Sequence, residues 1–86
     1  MFQVCLLKEA ERELDRLPSK VQSKIRGQIK TLANFPRVRN CVKIIGHEDT
    51  FRLRVGDYRV LFKVYSEKNA IVVVGIGHRG RIYKKL

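Results

Sequence analysis

Two alternating segments joined by a two-residue loop constrain the fold of this chain more than any other feature. Residues 51–55 and 58–65 place apolar side chains at every second position over most of their length, which is typical of strands with one buried face. Gly56 and Asp57 stand between them, and glycine at the first loop position is typical of a type II′ hairpin turn. The sequence therefore predicts an antiparallel hairpin whose turn fixes the register.

That register gives the hairpin two chemically different faces. It pairs Val55 with Tyr58 next to the turn and Phe51 with Phe62 further along, and side chains alternate between the faces. The apolar face, which we expect to pack against helices, consists of Phe51, Leu53, Val55, Tyr58, Val60 and Phe62. The opposite face, called the basic face below, consists of Arg52, Arg54, Arg59 and Lys63.

The basic face has two interpretations. Arg54 lies directly opposite Arg59 in the predicted register, and a like-charge cross-strand pair is unfavourable. Salt screens exposed charges, so one interpretation is a solvated face without a partner. The other is that a polyanion supplies the missing counter-charge, since each guanidinium can bind phosphate through two hydrogen bonds.

Residues 70–76 are almost continuously apolar, which predicts an interior strand covered on both faces. At its end, side-chain alternation assigns Gly75, Gly77 and Arg79 to one face of the sheet and His78 to the other. Glycine in a strand indicates either a bend or bulge, or the close approach of a backbone or ligand. On the open face of the sheet these glycines would leave a shallow trough beside the basic face.

The first half of the chain predicts two helices. Apolar residues recur at helical spacing over residues 8–16, and a second stripe follows Pro18, which suits the first position of a helix. Pro36 ends that second helix by residue 35 at the latest. The two stripes consist of Ala10, Leu14 and Leu17, then Val21, Ile25, Ile29 and Leu32. A joint this short predicts an antiparallel helical hairpin.

Short strands are also expected at residues 2–7 and 41–45, which gives the element order β-α-α-β-β-β-β. This order predicts an α+β fold in which the helical hairpin packs on one face of a mostly antiparallel sheet. A chain of 86 residues suffices for one modest core. Residues 1–86 are therefore expected to form a single domain.

The net charge of +11 indicates an anionic partner, such as nucleic acid, the ribosome, a membrane surface or an acidic protein. Residues 1–16 carry a net charge of −1 and residues 17–86 carry +12, so the whole excess lies beyond the first predicted helix. Arg79 and Arg81 would add to it at the end of the trough, with Tyr83 within reach.

Cys5 and Cys41 lie in apolar stretches without metal-site spacing, and we expect two buried free thiols in a reducing compartment. No metal ion or other cofactor is expected. No apolar stretch approaches membrane-spanning length, and the first residues lack a signal-peptide pattern. These features predict a cytoplasmic protein.

Two motifs in this order resemble the RelE/ParE toxin superfamily. Residues 52–60, Arg-Leu-Arg-Val-Gly-Asp-Tyr-Arg-Val, are similar to the YRLRVGDYRV segment typical of these toxins. Residues 75–83 are similar to the IGHRREVY ending of the RelE-like branch. The helical spacing that ends at Pro18 and the helix exit at residues 34–37 also fit, so the resemblance covers essentially the whole chain.

The resemblance implies a toxin that cleaves mRNA in the ribosomal A site without a metal ion and that binds a cognate antitoxin. By the same resemblance, Arg59 contacts phosphate, Arg79 stabilises the reacting phosphate, and Tyr83 orients or deprotonates the nucleophile or stacks on a base. His78 occupies a position that is basic in related proteins. The predicted catalytic residues are Arg59, Arg79, Tyr83 and His78, and the predicted RNA-binding residues are Arg52, Arg54, Lys63 and Arg81.

Several alternatives remain open beside this interpretation. A ParE-like inhibitor of DNA gyrase would have the same fold, although that branch usually lacks the combination of Arg59, Arg79 and Tyr83. A non-catalytic module would bind RNA or the ribosome through the basic face without cleavage, and the same surface could serve mainly to capture the antitoxin. His78 is either an acid or base near neutral pH or a structural histidine. Arginine replaces the family's common lysine at positions 52 and 54, and an arginine does not readily serve as a general base.

Overall fold

Five strands form one sheet, and both helices pack on one of its faces. The computed structural model describes residues Met1–Leu86. In chain order the elements are β1 (Gln3–Leu6), α1 (Lys8–Asp15), α2 (Ser19–Lys30), β2 (Cys41–Lys43), β3 (Thr50–Val55), β4 (Tyr58–Tyr65) and β5 (Ala70–His78), with 3₁₀ turns at Thr31–Asn34, Ser66–Lys68 and Ile82–Lys85. The strand order across the sheet is β1-β5-β4-β3-β2, and only β1 and β5 run parallel. The predicted α+β fold is confirmed.

The hairpin of β3 and β4 has the predicted register. Val55 lies opposite Tyr58 and Phe51 lies opposite Phe62, without a shift between them. Gly56 has a φ angle of +59°, whereas Asp57 is not among the residues with positive φ, as a type II′ turn requires. The turn therefore separates the apolar face from the basic face as the sequence predicts.

The apolar face of the hairpin lines the hydrophobic core. Leu53, Val60 and Phe62 are fully buried beneath the two helices. Phe35, just beyond α2, packs edge-on against Phe51 with ring centroids 4.9 Å apart. The helices contribute Ala10, Leu14, Ile25 and Ile29 to the same core. The apolar residues of the hairpin and those of the two helices thus pack together in one cluster.

The second helix begins one residue later than predicted. Pro18 precedes α2 and does not occupy its first turn, which starts at Ser19. The chain then folds back, and Arg26 Nη2 lies 3.2 Å from Asp15 and 3.4 Å from Glu11. These side chains are exposed, so the ion pairs contribute at most about 1 kcal/mol to stability. Neither helix combines the length and apolar composition that a membrane span requires.

The last strand, β5, is an interior strand with a bulge at Val74. Leu61 and Phe62 are neighbours in β4, whereas their partners Gly75 and Val73 have one residue between them. The extra residue reverses the alternation of side chains along β5. Both glycines of this strand therefore lie beside the basic face, on the side of the sheet away from the helices.

Two expectations for the outer strands are wrong. Cys5 is exposed and not buried, because β1 is an edge strand whose alternate residues pack toward the core and leave Cys5 on the other face. Cys41 is only half-buried. The strand β2 ends at Lys43, two residues early, and Ile45 is 94% exposed in the loop that follows.

Two glycines allow a matched test of the turn. Gly56→Ala is expected to lower the free energy of unfolding by about 1–2 kcal/mol, because an alanine at positive φ is strained. Gly27→Ala is expected to raise it by about 0.8–1 kcal/mol, since Gly27 lies within α2 and has open space where a Cβ would stand. Urea unfolding measures both variants, and effects of equal sign would contradict the assigned turn.

Candidate nucleic-acid interface

The 3₁₀ turn at Ile82–Lys85, called the C-terminal turn below, covers part of the open face of the sheet. Ile82 and Leu61 are buried there, outside the core beneath the helices. A Cβ added to Gly77 would lie 3.5 Å from Ile82 Cδ1. The expectation of an open trough is therefore wrong: the glycines admit the chain's own C-terminal side chains.

Lys85 crosses β5 at Gly75. A Cβ added to Gly75 would lie 2.6 Å from Lys85 Cδ, so any larger residue would displace the lysine. Beyond the strand, Lys85 Nζ lies 2.6 Å from Glu9 Oε1 and 2.7 Å from Glu13 Oε2. Glu13 Oε1 also accepts a hydrogen bond of 2.9 Å from the backbone N–H of Ile76. The C-terminal turn is thus connected to α1 as well as to the sheet.

Tyr83 meets the basic face through Arg52. Arg52 Nη1 donates a hydrogen bond of 3.1 Å to Tyr83 Oη, and both residues are half-buried. Because the phenol oxygen accepts here, its own O–H remains available as a donor. Arg52 Nε is buried and has no protein partner. Two of the predicted site residues therefore lie in direct contact.

Arg59 is attached to the hairpin turn and has little exposed surface. The residue is 8% exposed, and its Nη1 donates to the carbonyl oxygens of Gly56 at 2.9 Å and Tyr58 at 3.0 Å. Charge-assisted bonds of this kind hold the guanidinium against the backbone. Among the residues predicted to contact RNA, Arg59 offers the least surface to a ligand.

The remaining predicted cations lie on the surface. Arg54, Lys63, Arg79 and Arg81 are exposed. Arg79 follows the end of β5, and its backbone N–H donates a hydrogen bond of 2.9 Å to the carbonyl of Asp57 in the hairpin turn. The turn therefore fixes the backbone from which the Arg79 side chain extends.

His78 lies on the opposite side of the sheet from the contact between Arg52 and Tyr83. It is the last residue of β5 and pairs with Tyr58, whose ring it meets edge-to-face with centroids 5.5 Å apart. With residues of α1 and the C-terminal turn, it lines an open cleft of about 560 Å³. The structure thus brings Arg52 and Tyr83 together and leaves His78 apart from them.

The ion pairs of the C-terminal turn shift the pKa values of their members. The hydrogen bond from Lys85 and its charge lower the pKa of Glu9. Burial lowers the pKa of Lys85, but the hydrogen bonds to Glu13 and Glu9 and the charges of these two carboxylates together outweigh burial, and the pKa is raised. Both shifts favour the charged forms, so the contact persists across neutral pH. In β2, burial against the core raises the pKa of the Cys41 thiol and outweighs the opposing effect of the charge of Arg52.

The chain's acidic residues, histidines and cysteines form no group of three or more that could hold a metal ion. The site consists instead of one phenol in contact with the guanidinium of Arg52, and of further guanidinium and ammonium groups on the surface. Such donors bind phosphate oxygens through charge-assisted hydrogen bonds. A phosphate backbone is therefore the class of ligand that suits this face.

The sequence did not lead us to predict that the C-terminal turn folds back onto the sheet. Ile82 is one of few apolar residues in a short basic tail, and Lys85 is one cation among many, so neither is conspicuous. Two signals were available, namely the glycines of β5, which indicate a close approach, and two acids one helical turn apart, Glu9 and Glu13.

A family model described as "ParE toxin of type II toxin-antitoxin system, parDE" matches residues 4–83. No curated protein matches the chain. The isolated E. coli RelE toxin is similar with a TM-score of 0.79 and 21% identity, over 99% of this chain and 94% of that chain, a likeness of fold. The RelBE2 toxin–antitoxin complex from Mycobacterium tuberculosis matches with a TM-score of 0.78 and 26% identity, over 91% of this chain and 98% of that one. The RelE–RelB complex from Pyrococcus horikoshii OT3 matches with a TM-score of 0.77 and 26% identity, over 93% of this chain and 97% of that one.

Arg59→Lys is expected to lower the free energy of unfolding by about 1–3 kcal/mol. The reason is that Arg59 Nη1 donates to two carbonyls at the turn, and an ammonium lacks the planar geometry to replace it. Arg54→Lys makes the same change on an exposed neighbour and is expected to alter stability by less than about 0.5 kcal/mol. Urea unfolding compares the two variants, and similar losses would contradict this role of Arg59.

Proposed function

The chain belongs to the family of ParE toxins of type II toxin–antitoxin systems, and from this premise we propose that it is a ribosome-dependent endoribonuclease. In this proposal it cleaves mRNA in the ribosomal A site and so inhibits translation. The observation that carries the proposal is the contact between Arg52 and Tyr83 on an arginine-rich face. The shared fold with the RelE toxin and with the RelE–RelB complexes supports it.

RNA supplies its own nucleophile for this cleavage. The 2′-hydroxyl attacks the adjacent phosphorus, the bond from phosphorus to the 5′-oxygen of the next nucleotide breaks, and a cyclic phosphate and a 5′-hydroxyl result. The enzyme must align the attack, stabilise the added negative charge on the phosphorane-like state, and move one proton from the nucleophile and one to the leaving group. The cationic face and the phenol of Tyr83 address the alignment and the added negative charge, and the two protons are left to Tyr83 and to groups of the ribosome.

Tyr83 is the group proposed to orient or deprotonate the 2′-hydroxyl. The hydrogen bond from Arg52 fixes its oxygen, and its free O–H can donate to an RNA oxygen. Arg52 would also place positive charge beside the reacting phosphate, where it stabilises charge that develops during the attack. A guanidinium stays protonated, so Arg52 contributes electrostatics and position and leaves proton transfer to other groups.

Arg79 is proposed as the main contact to the reacting phosphate. Its side chain is exposed, and its backbone is fixed by the carbonyl of Asp57. Arg59, by contrast, is proposed to act indirectly, by holding the hairpin turn to which Arg79 is bonded. His78 lies across the sheet from Tyr83, so the proposed chemistry does not depend on it.

The exposed cations are proposed to contact the RNA backbone along the sheet. Arg54 and Lys63 lie on the basic face, and Arg81 lies at the start of the C-terminal turn. Such contacts position the strand without selecting its sequence. They would align the scissile phosphate between Arg79 and Tyr83.

An antitoxin is the second proposed partner. Solved complexes of similar chains contain an antitoxin beside the toxin, and this chain has a net charge of +11. Opposite charge on a partner steers association and selects the partner. We infer an acidic, amphipathic helix or extended segment that lies on this domain.

The family model itself is named for ParE toxins, which makes inhibition of DNA gyrase the competing function. That activity requires contact with a protein and has no need of a tyrosine hydroxyl held by an arginine. The two functions are therefore separable by the effect of removing one oxygen atom from Tyr83.

Cleavage on programmed ribosomes, mapped by primer extension, tests the proposal. Tyr83→Phe is expected to slow A-site cleavage by about 10²-fold or more, and Arg79→Ala by about 10²–10³-fold. Tyr65→Phe, the same change on an exposed residue at the far end of β4, is the matched control and should cleave normally. Absence of cleavage by the folded, unsubstituted chain, together with inhibition of gyrase supercoiling, would replace the proposal with the competing function.

Antitoxin binding is tested by calorimetry with a designed amphipathic peptide whose polar face carries glutamates. Binding is expected and should weaken as salt rises from about 50 to 200 mM, because part of the affinity is electrostatic. A peptide with lysines in place of the glutamates is the control and should not bind. Equal binding of both peptides would contradict an acidic partner.

A further inference from the structure

Tyr83 stands between two residues that attach the C-terminal turn to the rest of the protein. Ile82 precedes it and is buried above the sheet, and Lys85 follows two residues later and crosses β5. In a 3₁₀ turn, residues three apart point in the same direction. Ile82 and Lys85 therefore both face the glycines, and Tyr83 extends from a different side of the turn, toward Arg52.

Four residues cannot hold this conformation alone. Short 3₁₀ segments have poor hydrogen-bond geometry, and isolated helical turns are marginal in water. The chain also leaves β5 through Gly80, which has a φ angle of +89° and thus turns the backbone before the C-terminal turn begins. The place of Tyr83 must therefore come from contacts that the turn makes with the rest of the fold.

The Glu13–Lys85 contact is built more firmly than an ordinary surface ion pair. Both side chains are 23% exposed, whereas that of Glu9 is 71% exposed. Glu13 is itself fixed, because its other oxygen accepts the backbone N–H of Ile76. That N–H lies on the edge of β5 that β1 leaves free after Val73. The carboxylate of Glu13 thus accepts a hydrogen bond from the free edge of β5 and also binds Lys85 in the C-terminal turn.

We propose that Glu13 and Lys85 form a clasp that positions Tyr83 against Arg52. Neither residue forms a hydrogen bond or ion pair with the basic face, so both are positioning residues and act through Tyr83. The consequence for cleavage rests on the function proposed above, whereas the placement of the tyrosine ring does not. Glu9, which is more exposed, has a supporting role only.

The clasp is tested first by the NMR signals of the tyrosine rings, with ¹³C-labelled tyrosine. Lys85→Met keeps the alkyl chain above Gly75 and removes the charge. We expect it to shift and broaden the Tyr83 signal, while that of Tyr65, at the far end of β4, stays unchanged. Lys85→Arg should restore the signal. Lys84→Met removes a neighbouring exposed cation from the same turn and should have no effect.

The carboxylate is tested by Glu13→Gln, which retains an oxygen to accept the N–H of Ile76 and removes the charge. It should reproduce the shift of Lys85→Met, whereas Glu9→Gln should produce a smaller shift. In single-turnover cleavage at saturating toxin, Lys85→Met should be slower by about 10–100-fold with its affinity for the ribosome unchanged, as expected for a misplaced catalytic group.

The outcomes separate the clasp from the proposed function. A Tyr83 signal that is unchanged in folded Lys85→Met overturns the clasp, whatever the cleavage rates are. A shifted signal in a protein that never cleaves RNA supports the clasp and overturns the endoribonuclease proposal. A shifted signal with slower cleavage that Lys85→Arg restores supports both.

Discussion

The turn at Gly56 and Asp57 is the constraint on which the rest of the structure depends. Its geometry sets the register of β3 and β4, and a slip of one residue would exchange the apolar and basic faces of β3. Both carbonyl oxygens of the turn accept hydrogen bonds, that of Gly56 from the Arg59 guanidinium and that of Asp57 from the backbone N–H of Arg79. The same two residues thus determine the core, the cationic surface and the point at which the chain leaves β5.

The sequence carried enough information for the fold because its patterns are local and agree with each other. The register from Val55–Tyr58 to Phe51–Phe62 follows from turn chemistry and a period of two, and the structure has it without a shift. Boundaries that depend on neighbouring elements were less predictable. Cys5 lies in an apolar run, and only the strand order, which makes β1 an edge, explains its exposure.

The site was predictable in its faces but not in its contacts. The alternation of side chains correctly placed Arg52 and Arg59 on one face of the sheet. It contains no information on whether a long side chain extends into solvent or folds back on the backbone, as that of Arg59 does. The return of the C-terminal turn onto Gly75 and Gly77 depends on contacts with α1, which is distant in sequence: Lys85 and Glu9, which form an ion pair, are 76 residues apart. Periodicity contains no information at that range.

The acids of the chain that form ion pairs all lie in α1, and none of them neutralises the basic face. All salt bridges join Arg26 or Lys85 to acids of α1, namely Glu9, Glu11, Glu13 and Asp15. No acid pairs with the basic face or with Arg79 and Arg81, so their charge has no internal counter-charge. A fold selected for stability alone would place opposite charges across β3 and β4. The separation leaves the positive charge of this surface available to an external partner of opposite charge.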